Sequence, residues 1–188
     1  MSASSPRQQM ILAAMSLFQR EGYAAASWRR LVQESGAPWG SAYHYFPNGK
    51  EQLGVAAIEC AAQNVAALMA SCFPEGGRAR DGIHKLFAVS GVQLAKSGFM
   101  AGCPISTVAL ETVPESQALS EACKKAFELW QETFADGLKR CGVAPESASA
   151  LALTAIAAFQ GALIQARGAQ SREPLLQCAS VIARLFPE

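Results

Sequence analysis

The chain has 188 residues, 51% of them hydrophobic, which is ample for a buried core in one or two domains. Its formal net charge of +1 by itself argues neither for nor against a nucleic-acid partner. Six cysteines, at 60, 72, 103, 123, 141 and 178, form no CxxC pair and no regular spacing, and Ser4, Ser5, Pro6 and Arg7 stand near the start where a secretory signal would need an apolar run. The expectation is a cytoplasmic protein with reduced thiols.

In chain order, apolar residues recur at intervals of three and four, and alternating β-branched runs are absent, so nearly every segment reads as helix. A first helix starts at Pro6 behind a Ser5 cap, with Met10, Ile11, Ala14, Leu17 and Phe18 on one side, and stops at Gly22. Ser27 caps a short second helix, Trp28 to Ser35, that turns Leu31 and Val32 inward, and Gly36 ends it in the left-handed conformation. A third helix runs from about Pro38 to Tyr45. Pro47, Asn48 and Gly49 then punctuate the chain before a long helix from about Lys50 to Cys72. Further helices follow over about Asp81–Lys96, a short one behind Gly102 and Pro104, Glu115–Cys141, Glu146–Gly168, and Arg172–Leu185, ended by Pro187. The fold class is therefore all-α, with about nine helices, no repeats and a functional boundary near residue 50: a front module over 1–50 and a helical domain over 51–188. Charge is slightly uneven, since residues 1–54 hold five Lys/Arg against three acids.

The stretch Ser147–Ala166 has no charged residue over a length that could span a bilayer. Ala, Ser, Thr, Gly and Gln supply as much of it as Leu and Ile do, a poor mixture for a membrane helix. It reads as a helix buried in a core or against a second subunit.

Two short helices joined at Gly36 have the layout of a helix-turn-helix, whose second helix enters the major groove. Many helical proteins share that spacing, so at this level DNA binding and plain packing both stand. The residues narrow the choice. "SWRRLVQESGAPWGSAYHYFPNGKEQL" resembles the DNA-binding signature of TetR-family transcriptional regulators at Ser27, Arg29, Leu31, Glu34, Gly36, Gly40, Ser41, Tyr43, His44, Tyr45, Phe46, Pro47, Lys50, Glu51 and Leu53. Its turn, "FPNGKEQL", is one residue longer than the commoner form and is similar to that of the LmrA/YxaF-like branch. A second motif, "GCPISTVALE" at Gly102–Glu111, resembles the same branch, where it opens the short sixth helix.

The resemblance implies a homodimer that binds a palindromic double-stranded DNA operator and is released by a small, largely apolar effector. Ser27 and the helix start at Lys50 can hold phosphates, since helix N-termini carry partial positive charge. The resemblance adds Arg29, and Tyr43 and His44 can reach phosphates or base edges. Trp39, Gly40 and Ser41 lie at the groove-facing start of the third helix. Phe46 is expected to pack inward. Where the family often has Ser and Lys, this chain has Pro38 and Trp39; Trp39 can pack on a thymine methyl, or it can lie on the protein surface beside the turn.

In the rear domain an effector cavity would need apolar walls with a few polar groups, which an ordinary core also supplies. Phe99, Cys103, Thr107, Glu111, Trp130, Phe134 and Gln160 are the effector candidates, with Met100, Ile105, Val108 and Phe159 as further walls and His84 and Gln93 as further polar groups. The resemblance implies dimerisation through the last two long helices, and in the uncharged one Ala150, Ala157, Ala158, Gly161 and Ala162 permit close approach. An enzyme is disfavoured: the two histidines are His44 and His84, no HxxxH, GxSxG or phosphate-loop pattern occurs, and no cofactor or metal is expected. Two alternatives stay open, a redox-responsive regulator working through Cys103 and a DNA binder with no effector.

Overall fold

Serine hydroxyls start the first two helices, as their positions predict. The computed structural model describes residues 5–186 as nine α-helices and a closing 3-10 turn, with no strand among the described residues. Ser5 Oγ accepts the amide of Gln8 at 3.3 Å at the start of α1 (Pro6–Glu21), which buries Met10, Ile11, Ala14, Leu17 and Phe18. Ser27 Oγ accepts the amide of Arg30 at 3.3 Å at the start of α2 (Trp28–Ser35), and Leu31 and Val32 are its buried residues. Gly36 ends α2 at φ 66°, with no atom within 4 Å of where a β-carbon would lie; conformation, not crowding, requires glycine there.

Elsewhere several helix starts shift by a residue or two. Pro38 is not in the first turn of α3 (Trp39–Tyr45) but precedes it at ψ 139°, where its carbonyl accepts the amides of Ser41 at 2.9 Å and Ala42 at 3.3 Å. The long α4 (Gly49–Cys72) starts one residue before Lys50. In α5 (Ala79–Lys96) the start moves ahead of Asp81, whose carboxylate instead pairs with Arg78. Helix α6 (Pro104–Thr112) begins behind Cys103. Ser116 Oγ accepts the amide of Leu119 at 3.2 Å, so α7 (Gln117–Arg140) starts later than Glu115. After α8 (Pro145–Ala169), α9 (Glu173–Ile182) gives way to 3-10 geometry over Ala183–Leu185. The expected terminator Pro187 lies outside the described residues.

The chain forms two compact units, the first running to Ala62 and including Cys103–Ala126, the second holding Gln63–Gly102 and the residues from Phe127 onward. In the first unit α1 packs on α2, α3 and α6. Ion pairs tie α2 back to α1, Arg20 to Glu34 at 3.2 Å and Arg30 to Glu21 through both terminal guanidinium nitrogens.

In the second unit α5 packs on α8 and α9, and Phe87 meets Phe159 edge-on at 5.1 Å. Phe73 sits 4.9 Å from Phe134. Two glycines make room for the Phe73 side chain: a β-carbon on Gly137 would come within 2.9 Å of its Cβ, and one on Gly82 would collide with its ring. A fully buried phenylalanine contributes roughly 1.5–3 kcal/mol of apolar burial, so this close fit anchors the unit.

Candidate nucleic-acid interface

A helix start leaves its first amides without helical acceptors, and α2 presents that end beside the exposed Ser27. Two neighbouring arginines behave differently there. Arg30 clamps Glu21, donating to its Oε1 at 2.7 Å, whereas Arg29 is exposed and makes no ion pair among the described residues. Of the two, it is Arg29 that is left to meet a phosphate.

Helix α3 turns Trp39, 51% exposed, and Tyr43, 56% exposed, out to solvent. Such exposure of large rings, on a helix whose Ala42 is fully buried, separates an outward face from a core face. The Tyr43 ring is braced by Trp28 of α2, 5.4 Å away and tilted by 54°. His44 is exposed and stands edge-on to Tyr45 at 5.1 Å. Gly40 is exposed, with nothing near its missing side chain, and Ser41 is half-buried next to it. Phe46 is 1% exposed, with the Arg7 guanidinium 5.6 Å from its ring centroid, the inward packing that its motif position implies.

Lys50 is turned inward. Its ammonium lies 4.1 Å from the Tyr23 ring centroid and donates to the Ala24 carbonyl at 3.4 Å. Burial pushes its pKa below the ordinary lysine value, and the nearby Glu111 carboxylate partly offsets that.

The effector candidates divide between the units. In the first, Cys103 caps α6 by accepting the Ser106 amide at 3.4 Å, and Thr107 Oγ1 donates to the Cys103 carbonyl at 2.9 Å. Glu111 is exposed, and its Oε2 accepts the Ala24 amide at 2.6 Å. In the second, Phe99 is half-buried at φ 61°, Gln160 is half-buried, and Trp130 and Phe134 are each 1% exposed. Trp130 meets Phe127 edge-on at 5.6 Å. Of the further polar candidates, His84 and Gln93 are exposed.

Sequence reasoning missed Trp28 as the brace for Tyr43 and Tyr23 as the seat of Lys50. A tryptophan directly after a helix cap was the available sign for the first; nothing in the order of residues marks the second.

An exposed ring-bearing second helix, braced by the first and flanked by an unpaired arginine, defines a helix-turn-helix DNA-binding protein. Comparison with known proteins supplies the family. Residues 11–57 match the family model "Bacterial regulatory proteins, tetR family", and residues 79–181 match "Transcriptional regulator LmrA/YxaF-like, C-terminal domain". The transcriptional regulator LmrA of Bacillus subtilis is 30% identical over 186 residues, covering 99% of each chain. The regulator YxaF of the same organism is 32% identical over 181 residues, covering 96% of this chain and 95% of its own. A solved TetR regulator from Legionella pneumophila superposes with a TM-score of 0.85 at 25% identity, over 100% of both chains. The chain belongs to the TetR family of bacterial transcriptional regulators, in its LmrA/YxaF-like branch. It is a DNA-binding regulator and not an enzyme.

Proposed function

We propose that this protein is a cytoplasmic, effector-released repressor that binds a palindromic operator as a homodimer. The exposed face of α2 and α3, with Ser27, Arg29, Trp39, Gly40, Ser41, Tyr43 and His44, carries this reading. Phosphate contacts from Ser27 and Arg29 would set the register, while Tyr43, Trp39 and Ser41 would meet base edges. Lys50 joins the phosphate set if its flexible stem swings off Tyr23 when DNA arrives.

The second subunit is supported by α8. Its inward stripe includes Ala148, Ala152, Ala155, Ile156, Phe159, Ala162 and Ala166, yet Leu153 and Ile164 on other faces are 52% and 62% exposed. Among the described residues only 33% of its most apolar 18-residue window is buried within the chain. Ala150, Leu153, Ala157, Gly161 and Ile164 follow one another at three- and four-residue steps, a seam that a symmetry mate would cover together with Leu176 and Val181 of α9. Two-fold symmetry also suits DNA, because paired recognition helices meet successive major grooves about 34–36 Å apart.

The effector candidates remain Cys103, Thr107 and Glu111 in the first unit and Phe99, Trp130, Phe134 and Gln160 in the second; effector binding would shift the population between two dimer states. A redox role for Cys103 is less favoured, because its sulfur already serves as the α6 cap and its neighbour Cys123 is buried, its pKa pushed up to about 11, chiefly by burial.

The test is selection of duplexes from a random pool by the purified protein, with sedimentation to count subunits. An enriched inverted repeat bound by a dimer, and released by an apolar compound found by thermal-shift screening, supports the reading. Enrichment of no sequence, or a monomer on DNA, overturns it.

A further inference from the structure

The loop between α1 and α2, Gly22–Ser27, reads "GYAAAS": three alanines in succession, with no side chain able to fix their own peptide groups. Yet this loop decides where α2 starts and therefore how Ser27, Arg29 and the α3 face are presented. Both polar groups of Ala24 are held from outside the loop. Glu111 Oε2, at the end of α6, accepts its amide at 2.6 Å, and the Lys50 ammonium, at the start of α4, donates to its carbonyl at 3.4 Å. Opposite charges thus grip the amide and carbonyl of one residue, and each charge lies within electrostatic reach of the other.

The surroundings fit that contact. A β-carbon on Gly22 would run into Glu111 Oε1, so the carboxylate can lie against the loop because residue 22 has no side chain. A β-carbon on Gly54 would approach Tyr23 Cε2 to 3.1 Å, so this glycine admits the ring on which Lys50 rests. Just beyond α6, Ser116 Oγ donates to Glu51 Oε1 at 2.6 Å, a second tie to the first turn of α4. Inside the loop the Ala26 amide reaches the Tyr23 carbonyl at 3.1 Å, and the Ser27 amide reaches that of Ala25 at 3.1 Å. Holding Ala24 therefore holds a tight turn whose last residue is the cap of α2.

We propose that Glu111 is a positioning residue for DNA binding: reaching from α6, its carboxylate clasps the Ala24 amide and sets the direction in which α2 leaves the loop. Glu111 touches no DNA in this scheme and needs no effector contact. It makes the placement of α6 part of the geometry of the recognition face.

The experiment compares wild type, Glu111→Ala and Glu111→Gln, in the full-length protein, by hydrogen exchange at the Ala24 amide and by affinity for a duplex selected by the wild type. Glu111→Ala is expected to speed Ala24 exchange and weaken binding by about tenfold, the scale of one charge-assisted hydrogen bond. Glu111→Gln keeps both reach and acceptor, and is expected to restore Ala24 protection and bring affinity to within about threefold of wild type. A purely structural role would lower the unfolding midpoint of Glu111→Ala and leave the affinity of the folded protein unchanged, which overturns the proposal. Unchanged Ala24 exchange in Glu111→Ala overturns it irrespective of any DNA measurement, so failure of the clasp is distinguishable from failure of the operator reading.

Discussion

Neighbouring arginines on α2 provide a controlled comparison, since Arg29→Gln and Arg30→Gln remove the same charge one residue apart. Arg29 makes no ion pair among the described residues, so its loss should remove one phosphate contact per protomer, two in the proposed dimer. Each contact contributes about 0.9 to the slope of log affinity against log salt, so the slope of Arg29→Gln should flatten by roughly 1.8. Between about 50 and 200 mM salt, the advantage of the wild type should then shrink by roughly tenfold. Arg30 is engaged with Glu21, but the two side chains are 45% and 31% exposed, so solvent screens the pair. Its loss should cost about 1 kcal/mol or less. That corresponds to a fall in Tm of at most about 2–4 °C for a chain of this size, with no change in salt slope. Fluorescence anisotropy of a labelled duplex across a salt series, with calorimetry of the free protein, measures both. A flattened slope in Arg30→Gln and an unchanged one in Arg29→Gln would refute the assignment of roles.

Three other perturbations test separate parts of the structure. Ala157→Glu places a charge on the outward seam of α8, and sedimentation should find the mass falling from that of the proposed dimer, twice 19.9 kDa, to the single-chain value. Gly137→Ala forces a β-carbon against Phe73, and overpacking of this kind should destabilise by about 1–3 kcal/mol, read as a lower midpoint in urea. Brief alkylation of the native protein should leave Cys72 and Cys123 unmodified by mass spectrometry, because both are buried and burial pushes both thiols up, Cys123 to about 11. On unfolding, both should react.

Local chemistry was legible in the sequence. Ser5 and Ser27 cap, Gly36 turns left-handed, and the inward residues of α1 and α2 follow helical periodicity, because each depends on a few neighbouring residues. The outward rings of α3 were legible through the family motif, which sets Trp39 and Tyr43 toward the groove, and both are exposed. Long-range pairings were not. Glu111 and Ala24 are separated by 87 positions, and a glutamate near the end of a short helix has no pattern that names a backbone amide as its partner. Lys50 was read as an outward cation from its place at a helix start; the Tyr23 ring beneath it depends on how α4 meets the loop before α2. Phe73, held between Gly82 and Gly137, was invisible for a related reason, since glycines that admit a ring look in sequence like glycines that merely weaken a helix.

The central claim is that DNA meets the outward face of α2 and α3. Hydrogen–deuterium exchange of the full-length protein, with and without the selected duplex, tests it most directly. Slowed exchange is expected in peptides covering Ser27–Arg30, Trp39–Tyr45 and the first turn of α4, with α5 and α9 unaffected. Protection confined to α5–α9, with the segments around Arg29 and Tyr43 exchanging as in the free protein, would contradict it.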